Sequence, residues 1–270
     1  MVSDTTRPRF DEETALVPAG PGRWRTRIAA DWNIGESANG GYALSPVLRA
    51  LAGLGPHPDP LSVTTHFLRP TRGGRDAEVT AELVRRGRTV TVGRGTLTQE
   101  GDERLVVLAA FGDVTASVGV DATIDPVPPL VPPADVCVDR AVLEQGVELP
   151  ILRRLDVRIP PERAVGGTAA EAVTEGWIRF ADGAPPTARA LPLFADAFPP
   201  AVFTRFGRIG WVPTIELTVH VRRRPAPGWV LARFECDDLA GGRMIETGAL
   251  WDSSGSLVAR SRQLGLVLAR

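Results

Sequence analysis

The sequence predicts an α+β fold written twice, each copy a curved antiparallel β-sheet wrapped around one long helix. Three observations predict it. Landmarks recur about 154 positions apart: Tyr42-Ala43-Leu44-Ser45-Pro46 and Asp196-Ala197-Phe198-Pro199-Pro200 each open an apolar segment, and the same offset carries His66 to His220, Gly87 to Gly241 and Gly101 to Gly255. A repeat that long marks a duplicated domain, because solenoid units span only a few tens of residues. Both halves also read as one strand, one helix and then several alternating strands. Between them, Asp125-Pro126-Val127-Pro128-Pro129-Leu130-Val131-Pro132-Pro133 can continue neither kind of element and reads as a semi-rigid linker.

In the front half, residues 23–30 suit a strand. Residues 42–54 carry Leu44, Val47, Leu48 and Leu51 at helical spacing, and Gly53 with Gly55-Pro56 ends that helix. Leu61 to Phe67 alternates with period two, as a half-buried strand does. Further strands fit 77–85, 89–99 and 104–111, with hairpin signals at Arg86-Gly87-Arg88 and Glu100-Gly101-Asp102.

The back half repeats the order. A strand fits 176–181, a helical segment 193–203, and further strands 214–223, 229–236, 243–251 and 257–267, with turns at Gly241-Gly242 and Ser253-Ser254-Gly255. The reading is an N-terminal domain at 8–115, a proline-rich linker at 116–149 and a C-terminal domain at 150–270 carrying the chemistry. One helix wrapped by a curved antiparallel sheet, present twice, is the tandem (double) hot-dog architecture. Pairing two such sheets edge to edge covers strands otherwise open to aggregation. Sheet faces are still left over, so a homo-oligomer is expected.

Composition narrows the function. At 270 residues the chain suits two domains, and 43% hydrophobic with 23% charged residues is the balance of a soluble globular protein. A net charge of −1 and a pI near 6.3 give no pull toward nucleic acid or anionic lipid. All 31 basic residues are Arg, a pattern of codon bias rather than of binding. Met1 to Arg7 lacks the apolar core of a signal peptide, and no run is long enough for membrane insertion, so a cytoplasmic protein is expected. Cys137 and Cys236 stand apart, without the spacing of a disulfide framework or a zinc site, and no metal or other cofactor is expected.

The two copies differ where chemistry would sit. At matched positions the front half has Tyr42, Pro60 and Ala109, where the back half has Asp196, Thr214 and Gln263. One half keeps a scaffold; the other carries polar groups able to hold a water.

Along nearly its whole length the chain resembles the acyl-CoA thioesterase II (TesB-like) family of double hot-dog proteins. The front half has Asn39-Gly40-Gly41 at the helix start and the strand His66-Phe67-Leu68-Arg69-Pro70. The back half has Trp177-Ile178-Arg179, Asp196, Thr214-Ile215-Glu216, and Leu257-Val258-Ala259 leading to Gln263. The order and spacing of these pieces carry the resemblance. It implies an acyl-CoA substrate, and that Asp196, Thr214 and Gln263 match the Asp/Thr/Gln set orienting the hydrolytic water.

The residue types suit that chemistry. Thioester hydrolysis needs an aimed water, a group to take its proton and donors for the developing oxyanion. A carboxylate on an apolar helix, with Phe194, Phe198 and Val202 nearby, is desolvated and becomes a better base at neutral pH. A Thr hydroxyl and a Gln amide hold water without competing for its proton. The amides of Gly40 and Gly41, unpaired at a helix start, are candidate oxyanion donors, although glycines there equally permit close packing. Strand alternation puts Thr214 on the face of Glu216 and Thr218, so Thr218 competes for the water-positioning role. Gln263 shares a face with the small residues Ala259 and Ser261. The clusters Arg69/Arg72/Arg75, Arg85/Arg86/Arg88 and Arg222/Arg223/Arg224 could meet the coenzyme A phosphates or be solvated turns. His66 and His220 read as structural, and Trp177, Trp211, Trp229 and Trp251 as core.

Rival classes fit less well. Enoyl-CoA hydration on this fold pairs an Asp with a His five residues on, and Ala201 stands there. Neither G-x-S-x-G nor a phosphate-cradling glycine motif occurs. The rival from another class is a non-catalytic acyl-CoA or acyl-carrier binding protein that retains the tunnel. A buried carboxylate beside an apolar chain would serve such a binder nothing.

Overall fold

The computed structural model describes residues 8–120, 122–143 and 146–269 of the chain. In chain order the main-sheet strands are β1 (Val17–Gly20), β2 (Arg23–Ile28), β3 (Asp59–Phe67), β4 (Arg75–Arg86), β5 (Thr91–Gln99), β6 (Asp102–Gly112), β7 (Val138–Asp139), β8 (Leu155–Ile159), β9 (Val173–Phe180), β10 (Thr214–Val221), β11 (Val230–Ala240), β12 (Arg243–Trp251) and β13 (Leu257–Leu266). Among the described residues they form one 13-stranded sheet in the order β1-β2-β4-β5-β6-β3-β10-β13-β12-β11-β9-β8-β7. Its neighbouring strands pair antiparallel.

The sheet reads the same outward from its middle in both directions, apart from the extra β7. The seam is the pair β3–β10, where Thr64 lies opposite Thr218 with their hydroxyls 2.9 Å apart. These residues are related by the sequence repeat, so a local two-fold axis passes between them. His66 and His220 sit two residues either side, opposite Glu216 and Ser62, and both are exposed.

The front helix begins earlier than its hydrophobic spacing predicts. Helix α1 (Arg9–Glu13) precedes it, and it then runs as α2 (Gly40–Ala43) and α3 (Ser45–Leu54), with Leu44 between them still helical. Asn39 caps the run, its Oδ1 accepting from the Tyr42 amide at 2.9 Å. Ser45 is no cap: its hydroxyl donates back to the Gly41 carbonyl at 2.8 Å. Val47, Leu48 and Leu51 of α3 are fully buried, worth about 1.5–3 kcal/mol each. Their approach to β5 needs two glycines: a Cβ on Gly93 or Gly95 would lie 2.7 Å from Leu51 Cδ2 or Val47 Cγ1.

The back half departs from the expectation of one long helix. Helix α4 (Leu191–Ala195) stops at Asp196, and α5 (Val202–Phe206) restarts after Pro199-Pro200. Proline lacks the amide that would continue the ladder and its ring clashes with the carbonyl four residues back. Asp196 is thus not on a helix face; it follows the last residue of α4, with φ −111° and ψ 4°.

The proline-rich linker is docked across the outer face of the back half. The Trp177 indole N–H donates to the Pro132 carbonyl at 2.8 Å and that of Trp251 to Pro126 at 3.1 Å. Val131 and Trp177 pack there on Leu231, Ala249, Trp251 and Leu257, a cluster separate from the main core. Of the four tryptophans expected in the core, Trp251 is buried, in this smaller cluster, and the other three are not. Trp177 and Trp251 hold the linker, Trp211 is exposed, and Trp229 lies under the Arg179 guanidinium at 4.2 Å. The fully buried indole is Trp32, stacked on Tyr42 at 4.8 Å. No helix among the described residues is long and apolar enough to cross a membrane.

Candidate active site

Asp196 sits between two helix ends of opposite character. It follows the C-terminus of α4, where a negative charge is disfavoured, and faces the N-terminus of α2, where it is favoured. Its Oδ2 accepts from the Gly41 amide and from Asn39 Nδ2, each at 2.8 Å, while Asn39 Nδ2 also reaches the Asp196 carbonyl at 2.7 Å. The helices touch because residue 41 is glycine: a Cβ there would lie 2.7 Å from Leu193 Cα and from the Pro192 carbonyl. Burial pushes the carboxyl up to about 6, against the opposing pull of the Gly41, Asn39 and Gly40 donors. The Gly40-Gly41 step thus permits close packing of helix on helix, across the two halves, and aims its amides at a carboxylate.

Thr214 and Gln263 meet through an irregularity that the sequence pattern hides. Leu217 pairs with Gln263, but Thr214 pairs with Gly265, so β10 carries one extra residue between them. That bulge turns Thr214 away from Glu216 and Thr218 and onto the face of Gln263. Gln263 Nε2 then donates to Thr214 Oγ1 at 2.6 Å. Thr218 lies on the opposite face at the seam, bonded to Thr64 and Glu216.

One cavity of about 820 Å³ has Asn39, Gly40, Asp196, Thr214 and Gln263 in its wall. Ala259 and Ser261 do not belong to this wall. Ala259 is fully buried, and the Ser261 hydroxyl crowds Gly248, where a Cβ would also meet Phe234. Of the arginine clusters, Arg69 reaches the cavity, whereas Arg224 grips Asp59 through three hydrogen bonds and Arg223 pairs with Asp125.

Two buried charged residues in this wall were not singled out from the sequence. Glu246 lies directly opposite Gln263 on the neighbouring strand, 6% exposed, with its Oε2 accepting from the Ala201 amide at 2.6 Å. Burial first, and the charge of Asp196 after it, push Glu246 up to about 7. Its signal was available: Met244, Glu246 and Gly248 alternate on the buried face of β12, and an acid is foreign there. Arg140, from the segment read as linker, is the second, and is also buried.

The comparisons agree with this architecture. The family model for the acyl-CoA thioesterase N-terminal domain matches residues 28–113, and that for the C-terminal domain matches 129–267. The chain belongs to the acyl-CoA thioesterase family, as a TesB-like hot-dog thioesterase. A provisionally assigned thioesterase II from Thermobifida fusca superposes with a TM-score of 0.87 at 31% identity, covering 97% of this chain and 98% of that one. A hot-dog protein of unknown function from Alicyclobacillus acidocaldarius gives 0.86 at 23% identity, covering 98% and 100%, and shows the fold. The uncharacterized protein Rv0499 of Mycobacterium tuberculosis is 28% identical over 269 aligned residues, 88% of this chain and 89% of its own.

Proposed function

We propose that the chain hydrolyses an acyl thioester of coenzyme A to free acid and thiol, using a water activated by Asp196. The observation that carries this reading is the carboxyl group itself: raised toward neutrality, fixed by Asn39 and Gly41, and set in the wall of a large cavity beside the Thr214–Gln263 pair. A base that titrates near the working pH accepts a proton efficiently in the transition state.

In this reading Thr214 and Gln263 hold the water and Asp196 takes its proton as the oxygen attacks the thioester carbonyl. The carbon–sulfur bond of the tetrahedral intermediate then breaks, and the protonated Asp196 returns the proton to the departing thiolate. Both glycine amides pull on the carboxylate, and Gly40, which lines the cavity, is the amide released to serve the oxyanion once Asp196 has taken its proton. Arg69 and Arg163, exposed and half-buried at the cavity edge, suit the coenzyme phosphates. A cytoplasmic homo-oligomer is the setting that accompanies this function.

The test is thiol release from a panel of acyl-CoA thioesters by wild type and Asp196→Asn. Turnover falling by at least a hundredfold with substrate binding kept supports the reading. Equal turnover removes Asp196 from the mechanism, and tight acyl-CoA binding without turnover in wild type favours a binding protein.

A further inference from the structure

Arg140 is a buried cation with no ion-pair partner among the described residues. It is 4% exposed and belongs to the wall of the cavity that holds Asp196. One of its nitrogens, Nη1, donates to the Ala197 carbonyl, while Nε has no hydrogen-bond partner. Its sequence neighbour Asp139 is committed elsewhere, to the Arg158 guanidinium at 3.3 Å and to the Ala141 amide at 2.8 Å. Burial alone pulls the Arg140 guanidinium down, to about 10, so it remains a cation at neutral pH. A second unsatisfied group shares the cavity wall: the Thr174 hydroxyl, on a residue 1% exposed.

Such an arrangement is costly unless something in the cavity completes it, because a buried charge needs a partner. The coenzyme phosphates do not suit the role. The other arginines in this wall, Arg69, Arg163 and Arg208, are exposed or half-buried, at the edge where a large solvated anion would lie. Arg140 is buried, donates to the carbonyl of Ala197 next to Phe198, and shares the cavity wall with Ile159, Phe198 and Phe203, apolar side chains that suit an acyl chain.

We infer that Arg140 and Thr174 form an anion-accepting subsite inside the acyl cavity, and that the substrates are thioesters whose acyl chain ends in a carboxylate. This rests on the thioester-hydrolase reading above and narrows its substrate class. A carboxylate would take the free guanidinium edge of Arg140 and accept from the Thr174 hydroxyl, satisfying both groups together. A plain alkyl chain would leave them buried and unpaired.

The experiment compares matched pairs of equal chain length: adipoyl-CoA with hexanoyl-CoA, suberoyl-CoA with octanoyl-CoA, and sebacoyl-CoA with decanoyl-CoA. Wild type should favour the carboxylated member of at least one pair by tenfold or more in kcat/KM. Arg140→Met, which keeps the apolar stem, should abolish that preference, lowering kcat/KM for the carboxylated member by at least tenfold more than for its alkyl match. Preference for the alkyl member in every pair, or an equal loss on both members, would overturn the subsite. A readout independent of turnover uses the free diacids adipate, suberate and sebacate with the neutral alcohols 1-hexanol, 1-octanol and 1-decanol. The diacids should raise the melting temperature of wild type more than the alcohols, and Arg140→Lys, which keeps a charge but loses the fork, should weaken that effect. Equal shifts would overturn the proposal even if Arg140→Met fails to fold. If wild type hydrolyses no thioester, the parent reading fails, and the diacid shift still decides this one.

Discussion

The Gln263 amide donates to the Thr214 hydroxyl across 2.6 Å, on a face that Thr214 reaches only because β10 carries an extra residue. The hydroxyl so held can pass a hydrogen bond onward to a ligand, whereas a methyl group of similar shape cannot. Thr214→Val should therefore lower kcat by roughly 10- to 100-fold with KM little changed, the pattern of an interaction made mainly in the transition state. Steady-state thiol release measures it. A rise in KM at constant kcat would reassign Thr214 to ground-state binding.

Removing the bulge should cost less than removing the hydroxyl. Deleting Ile215 leaves Thr214 next to Glu216 with the Thr214–Gly265 and Glu216–Leu264 pairings intact, so regular alternation keeps Thr214 on the face of Gln263. The expected result is a folded protein with turnover between those of wild type and Thr214→Val. Circular dichroism separates this from simple unfolding, and turnover below that of Thr214→Val would show that the local twist of the bulge, and not the register alone, aims the hydroxyl.

These two residues also show what was legible in the sequence and what was not. The offset of the repeat was readable, and it places Thr64 opposite Thr218 at the seam of one continuous sheet. Pro199 and Pro200 were readable too, yet apolar periodicity ran the back helix through them, whereas the backbone breaks there and leaves Asp196 beyond the end of α4. A bulge adds a residue without changing composition, so alternation placed Thr214 on the wrong face. Trp177 and Trp251 look like core residues in sequence because burial under a docked linker and burial under a helix draw on the same residue types. Arg140 stayed hidden because a buried charge inside a proline-rich segment has no periodic pattern to violate.

Gly41 should tolerate no side chain. A Cβ there meets backbone atoms of Leu193 and Pro192 at 2.7 Å, and backbone cannot swing aside as a flexible side chain can. Gly41→Ala should cost about 1–3 kcal/mol from overpacking and also displace the amide that holds the Asp196 carboxylate. Denaturant unfolding and kcat should fall together. Full stability with lost activity would show that α2 shifts as a unit.

The acid limb of activity should belong to Asp196. With its carboxyl group raised to about 6, the base is lost as pH falls below that value, and kcat/KM should drop tenfold per unit there. Any residual activity of Asp196→Asn should lack this limb. A limb that persists in the variant would mean another group accepts the proton.

Glu246 should make the fold less stable as pH rises. Its folded value of about 7 lies above the ordinary glutamate range near 4.5, because burial and the charge of Asp196 both disfavour ionisation. A group raised in the folded state binds its proton more tightly there, so its contribution is complete below the unfolded value and is lost as pH climbs through the folded one. The ionised carboxylate above pH 7 then carries a penalty of about 3 kcal/mol. Glu246→Gln keeps an acceptor for the Ala201 amide without the charge. It should melt several degrees above wild type at pH 8.5 and level with it near pH 4.5, by thermal unfolding at both. A constant difference at the two pH values would mean that water in the cavity solvates Glu246, leaving Asp196 as the group there whose ionisation the fold resists.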